Sequence, residues 1–229
     1  MMPTSSARAS RVPGCLVALA LLPAACAYSS YQSAKMLPMG GTQLTAAVSS
    51  YSAYVDGNNN GSTAFEVMGS RGLTDRLELG GKFSFVNEEE DGYTLLVVPK
   101  YSLSPDTLAL TMPAGVMFTS QDDTDHIYEL FPGVIYTRQI SPDFELDLAG
   151  QVLVAVNSDF DDSEIYLGTN VGVALSPHGA AWAFHPEVGP LVPTGDAAGT
   201  VDYFLPIGLG VSYELGVAPP AAAAPVAGL

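Results

Sequence analysis

The sequence has almost no cysteine and few basic residues, and both shortages exclude whole classes of protein. Its two cysteines, Cys15 and Cys26, lie near the start, so the rest of the chain has neither a disulfide framework nor thiolate metal ligands. Only 8 lysines and arginines stand against 24 acidic residues, which gives a formal net charge of −16. Such a chain lacks the basic surface that binds nucleic acid, which we therefore exclude as a partner.

The sequence also lacks an apolar run of about 18 residues, the length that a membrane-spanning helix needs. Charged residues nevertheless make up only 14% of the chain and apolar residues 48%, which is a low charge content for a soluble domain. Any segment that crosses a membrane would thus be a β-strand. The motifs G-x-S-x-G, H-E-x-x-H and the P-loop are missing too, and we predict no cofactor.

What the sequence does have is alternation, seen best from Phe144 to Leu175. Two alternating segments, F-E-L-D-L-A-G-Q-V-L-V-A-V and E-I-Y-L-G-T-N-V-G-V-A-L, flank the acidic loop N-S-D-F-D-D-S. A period of two residues is that of a β-strand. Tight Ser-Pro turns stand on both sides, at 141–143 and 176–179, where proline presets φ for a turn. The stretch therefore predicts a β-hairpin.

This unit repeats from residue 42 to residue 215 and predicts about ten strands in one domain. Four tight turns, at 73–76, 103–106, 140–143 and 176–179, alternate with five longer polar loops. Short turns at one end and long loops at the other are typical of strands that form a barrel across a membrane. We predict an all-β fold, a closed up-and-down antiparallel transmembrane β-barrel, with both chain ends on the tight-turn side. The alternative is a soluble or periplasmic barrel of eight to ten strands around an apolar ligand.

Strand parity assigns side chains to the two faces of this predicted wall. In the last strand, from Val201 to Leu215, one face is apolar with tyrosines near both ends, and the other is mostly small or polar. The first face suits lipid and the second suits a narrow lumen. Side chains predicted to face lipid include Leu77, Leu79, Phe83, Phe85, Leu95, Val97, Val152, Val154, Leu205, Leu209 and Val211. Polar side chains predicted to face the lumen are Glu66, Glu78, Lys82, Lys100, Glu145, Asp147, Gln151, Asn170, His185, Glu187 and Asp202.

The segments outside the predicted barrel differ from it in composition. Residues 1–27 have the basic start, short apolar core and small-residue exit of a signal peptide. Within them, Leu22-Pro23-Ala24-Ala25-Cys26 resembles the lipobox of bacterial lipoproteins, in which Cys26 would be lipidated, while Ala25-Cys26-Ala27 also fits an ordinary cleavage site. Residues 28–41 are predicted to form a tether, and residues 216–229 a disordered tail of alanine and proline.

Residues 42–215 resemble the outer-membrane β-barrel proteins of Gram-negative bacteria. The segment Gly208-Leu209-Gly210-Val211-Ser212-Tyr213 resembles the terminal-strand signal that the barrel assembly machinery reads. The resemblance implies a location in the outer membrane with periplasmic termini. It also implies outer-membrane lipid and the assembly machinery as partners.

Counting from the tight turns and loops brings some of the predicted lumen charges together. It places Lys82 near Glu66 and Lys100 near Glu78, as ion pairs that fill the lumen or as part of an ion-conducting site. His185 and Glu187 share one face of a strand, where we expect a satisfied pair rather than a metal site, because no third ligand converges on them.

Acidic loops motivate two alternative functions. Their carboxylates could hold cations such as calcium and make the barrel a surface-binding module, although solvated loop acids are the simpler interpretation. The clusters are Glu88 to Asp91, then Asp122, Asp123 and Asp125, then Asp159, Asp161 and Asp162. His126 beside the second cluster would suit an outer-membrane protease of the omptin kind. The leading prediction is a non-enzymatic barrel, either structural or a narrow passive channel that prefers cations.

Overall fold

The computed structural model describes residues 30–55, 58–87, 92–119, 126–160, 162–177, 180–194 and 202–215. The predicted signal peptide with Cys26 and the predicted tail at 216–229 lie outside these residues. So do Glu88 to Asp91, Asp122, Asp123, Asp125 and Asp161.

Ten strands make up the described part of the chain, three of them in two segments each. Their bounds are Thr42–Val55 (β1), Asn58–Gly72 (β2), Leu77–Asn87 (β3), Gly92–Ser104 (β4), Leu108–Thr111 and Ala114–Thr119 (β5), His126–Leu130 and Gly133–Ser141 (β6), Phe144–Asn157 (β7), Ser163–Leu175 (β8), Trp182–Val188 and Leu191–Thr194 (β9), and Tyr203–Leu215 (β10).

Proline accounts for the three interruptions, since Pro113, Pro132 and Pro190 each stand within one and have no N–H to give to a ladder. The wall stays hydrogen-bonded across the gaps. The N–H of Phe131 donates to the carbonyl of Pro113 at 2.8 Å, and that of Val152 donates to Pro132 at 3.0 Å. The prolines therefore interrupt individual strands without opening the barrel.

Each strand pairs antiparallel with its neighbours, and the ring closes because β1 also pairs with β10, from Thr42 opposite Leu215 to Tyr54 opposite Tyr203. The predicted closed ten-stranded antiparallel barrel is confirmed. The start of β1 and the end of β10 lie at the end of the barrel where the tight turns are, here called the tight-turn end; the other is the loop end.

No helix in the described part of the chain is long and apolar enough to span a membrane.

The two faces of the wall follow the predicted parity. Large apolar side chains point outward and are exposed, among them Leu209 and Val211 at 48% each and Val97 at 57%. Charged side chains point inward and are buried, among them Glu66 at 3% and Lys82 at 5%. A soluble barrel around an apolar ligand would have the opposite arrangement, so the alternative fold is wrong.

Candidate functional site

The lumen contains both ion pairs that the sequence predicts. Lys82 Nζ forms a salt bridge with Glu66 Oε2, and Lys100 Nζ lies 3.1 Å from Glu78 Oε2, with all four side chains buried. Lys100 stands directly opposite Glu78 in the β3–β4 register, and Lys82 lies diagonally across from Glu66 between β2 and β3. Residues that lie directly or diagonally opposite each other on neighbouring strands are close enough for long side chains to meet.

Most of the other predicted lumen residues are inside as well. Glu145, Asp147, Asn170, His185 and Glu187 are buried, and Gln151 is half-buried. Asp202 is the exception, since it precedes β10 at the loop end and is exposed, with its N–H donating to the Tyr54 carbonyl at 2.8 Å. Asp202 therefore belongs to the rim of the barrel and not to the lumen charges.

His185 and Glu187 each have partners of their own. His185 Nε2 lies 2.8 Å from Ser212 Oγ. Glu187 accepts hydrogen bonds from the Asn170 side-chain amide and from two backbone N–H groups of the N-terminal segment. Among the described residues no group of three His, Cys, Asp or Glu side chains could hold a metal ion.

The N-terminal segment differs most from its prediction. Residues 30–37, here called the lumen segment, were predicted as part of a tether, yet they lie inside the barrel: Tyr31 is 3% exposed, Ala34 is fully buried and Leu37 is 6% exposed. The chain enters from the tight-turn end, where the Gly40 N–H donates to the Gly72 carbonyl at 2.8 Å.

The lumen wall binds the backbone of the lumen segment. Glu187 accepts the N–H groups of Ser30 and Tyr31 at 2.8 Å each. Lys100 Nζ donates to the carbonyls of Ser33 at 3.2 Å and Lys35 at 2.8 Å. The N–H of Tyr31 would otherwise be buried without a partner, which is costly, and the other three groups are partly buried.

Towards the loop end the lumen is filled in another way. Apolar side chains from the strands pack there into one cluster, here called the apolar cluster. It consists of Tyr51, Ala53, Ala64, Val86, Leu96, Val98, Met117, Phe131, Leu153, Ala155, Tyr166, Leu191 and Phe204. Sequence parity had indicated a polar lining of small residues and charges, so this filled half is a correction to the predicted lumen.

Glu129 is a lumen carboxylate that the sequence analysis missed. It is 3% exposed on β6, and neither of its oxygens has a hydrogen-bond partner among the described residues. Its parity follows from Ile127 and Phe131, but the proline after Phe131 hides the alternation of this strand. With Glu129, the buried side chains of the lumen include six carboxylates and two lysines: Glu66, Glu78, Glu129, Glu145, Asp147, Glu187, Lys82 and Lys100.

His126, the proposed protease residue, lies on the outside of the barrel. Its ring is 5.1 Å from Tyr128 and 6.1 Å from Phe118, and its Nε2 is 3.0 Å from the Tyr128 hydroxyl. Tyr93 and Phe160 extend the row of rings. Aromatic side chains at this height form the girdle of a membrane barrel. Because His126 faces the outside of the barrel and not the mouth of the lumen, its position does not favour a catalytic role. Asp159 and Asp162 are exposed loop acids.

A closed wall with an apolar outside and a charged inside defines the class of the molecule, a transmembrane β-barrel.

Comparison with known proteins finds only solved structures of low identity and low TM-score. No protein-family model and no curated protein matches the chain. Similar solved structures include an outer membrane channel from Pseudomonas putida F1, with 15% identity, a TM-score of 0.46, and coverage of 79% of this chain and 97% of that one. The translocator domain of autotransporter NalP from Neisseria meningitidis has 10% identity, a TM-score of 0.43, and coverage of 86% and 93%. KdgM porin has 13% identity, a TM-score of 0.42, and coverage of 76% of this chain and 98% of that one. At such identities nothing follows about what this chain transports or binds.

Proposed function

We propose that the protein is a non-enzymatic barrel of the Gram-negative outer membrane that is closed to large solutes and passes at most a small, cation-preferring current. The observation that carries the proposal is the filled lumen. The apolar cluster occupies it towards the loop end, and the lumen segment occupies it towards the tight-turn end. A barrel of ten strands is also far narrower than a barrel of about 16 to 18 strands, which encloses an open aqueous pore.

The charges in the lumen support the preference for cations. Five buried carboxylates that have ion-pair or hydrogen-bond partners, Glu66, Glu78, Glu145, Asp147 and Glu187, face two buried lysines, and Lys35 of the lumen segment adds one more positive charge through its salt bridge to Glu145. Inside a wall of low dielectric constant, an excess of one sign raises the local concentration of counter-ions. Ions that pass through the lumen would therefore be mainly cations.

The outer surface supports the location. The exposed apolar band and its row of aromatic rings suit contact with outer-membrane lipid. The segment Gly208 to Tyr213 lies in β10, the strand that closes the barrel against β1, as the terminal-strand signal for the assembly machinery would. Periplasmic termini and this machinery as a partner remain part of the proposal.

The test is electrical recording of the purified full-length protein in planar lipid bilayers. We expect long silent periods with small steps, and a reversal potential in a salt gradient that has the sign of cation selectivity. Buffer with the same detergent is the blank. Large steps that favour anions would contradict both the filled lumen and the charge assignment.

A further inference from the structure

Six hydrogen bonds between the wall and the lumen segment use the backbone of the segment, which any peptide possesses. Glu187 receives two consecutive N–H groups, and Thr137 Oγ1 receives the N–H of Ala34 at 2.7 Å. Glu78 receives the N–H of Leu37 at 3.2 Å. Carboxylates accept backbone N–H groups in strong, charge-assisted hydrogen bonds. Three wall residues, Glu187, Thr137 and Glu78, thus bind the backbone of the segment at separate positions along it.

Lys100 binds the carbonyl groups of the segment, whereas Glu187, Thr137 and Glu78 bind its N–H groups. Its ammonium group donates to the carbonyls of Ser33 and Lys35 while it stays 3.1 Å from Glu78. The Lys100–Glu78 pair therefore offers a donor and an acceptor side by side to one peptide. An ion pair that merely filled space would leave these remaining hydrogen-bonding positions unused.

A notch in the wall selects the side chain of Tyr31. A Cβ atom at Gly208 would overlap the Tyr31 hydroxyl, and one at Gly210 would lie 2.9 Å from its ring. The hydroxyl shares a hydrogen bond with Ser49, which in turn donates to Glu66. Glycine at these two positions of β10 thus makes room for one aromatic ring.

The backbone of Tyr31 indicates how firmly this ring is held. Its φ is +44°, in the left-handed region that side chains rarely adopt. Such a conformation persists only where surrounding contacts hold it. Here the contacts are Glu187 on the N–H and the glycine notch around the ring.

Apolar contacts of the lumen segment are few by comparison. Ala34 packs with Ala109 and Ile135 in a small cluster that is separate from the apolar cluster near the loop end. Removing the segment would therefore leave the apolar cluster intact. The site that it occupies is polar and is formed by side chains of the wall.

We propose that the lumen wall is a binding site for a peptide with one tyrosine, and that residues 30–37 are its resident occupant. The wall contributes Glu187, Thr137, Glu78 and Lys100 for the backbone and the Gly208–Gly210 notch for the ring. This inference rests on the barrel proposed above, but not on its location or its ion preference. Occupation of the site is what closes the tight-turn half of the lumen.

The direct test supplies the occupant as a separate molecule. A variant that lacks residues 30–37 is refolded in detergent micelles, and a peptide with the sequence of residues 30–41, labelled at its C-terminus, is added. Fluorescence anisotropy should show saturable binding to the deletion variant and none to the full-length protein, whose site is occupied. A peptide with Tyr31→Ala should bind at least tenfold more weakly. Equal binding of a scrambled peptide, or no binding to a folded deletion variant, would overturn the proposal.

A second test keeps the chain whole, in case the deletion variant does not fold. Ala34→Cys is introduced in a background with Cys15→Ser and Cys26→Ser, and its reaction with a bulky maleimide is timed in micelles. Adding Gly208→Val should displace Tyr31 and speed the reaction at least tenfold. The matched control is Gly150→Val on the outer face, where an added Cβ meets nothing within 4 Å. Equal rates for the two valine variants would mean that the notch does not hold the segment, whatever current the barrel carries.

Discussion

The two halves of the lumen are filled by different means. Towards the loop end, apolar side chains of the wall meet each other, as in the core of a soluble protein. Towards the tight-turn end, the wall carries charges and the space is filled by the chain itself through the lumen segment. An apolar filling is stabilised by packing, whereas a polar one depends on the pairing of each charged group. The halves should therefore respond differently to substitution.

The largest effect is expected from unpairing a charge near the middle of the barrel. Lys82→Met removes the partner of Glu66 and leaves that carboxylate buried without its counter-charge. Breaking one side of a buried ion pair costs about 3–5 kcal/mol. Denaturant unfolding of the refolded barrel should show a loss of that size in the free energy of unfolding.

The double variant Glu66→Gln with Lys82→Met is the control for this prediction. Because it removes both charges, it should recover at least half of the lost stability. If the double variant were as unstable as the single one, the loss would come from packing. The contrast between the two halves would then disappear.

A somewhat smaller effect is expected in the apolar half. Phe131 is 1% exposed within the apolar cluster, so that Phe131→Ala should lower the free energy of unfolding by about 3 kcal/mol through the cavity that it leaves. The matched control is Phe83→Ala on the outer face, where the ring is 42% exposed and the loss should be smaller. Maleimide labelling at position 34 should stay unchanged in both variants. Faster labelling in Phe131→Ala would show that the two halves are coupled.

The same contrast explains what could be predicted from the sequence. The Lys82–Glu66 pair follows from alternation and the tight turn at 73–76, and the Lys100–Glu78 pair from alternation and the loop at 87–92, because the lengths of these connections fix the register of neighbouring strands. The closed barrel follows for the same reason. Local rules therefore suffice for the wall.

The contents of the lumen depend on contacts that no local rule specifies. The hydrogen bond from Ser30 to Glu187 joins positions 157 residues apart, and residues 28–41 show no alternation that would reveal it. Leu96 was not assigned to the lumen although it shares the parity of Lys100, and Phe131 was missed because Pro132 interrupts the alternation of its strand. Asp202 has the parity of a lumen residue, but the last strand begins at Tyr203, so Asp202 lies just outside the barrel wall.

The smallest effect is expected on ion preference, and it tests the polar half alone. Glu145 lies in the lumen near the tight-turn end, where it forms a salt bridge with Lys35. In Glu145→Gln the lysine stays while its counter-charge is lost, so that the local excess of negative charge falls and the field that concentrates cations weakens. In planar bilayers the reversal potential should move towards zero by a modest amount while the size of the steps changes little. Asp106→Asn is the matched control, because it removes the same charge at the same end from an exposed turn outside the lumen. A shift of equal size in both variants would assign the preference to general surface charge, and a stronger cation preference in Glu145→Gln would contradict the lumen as the path of the ions.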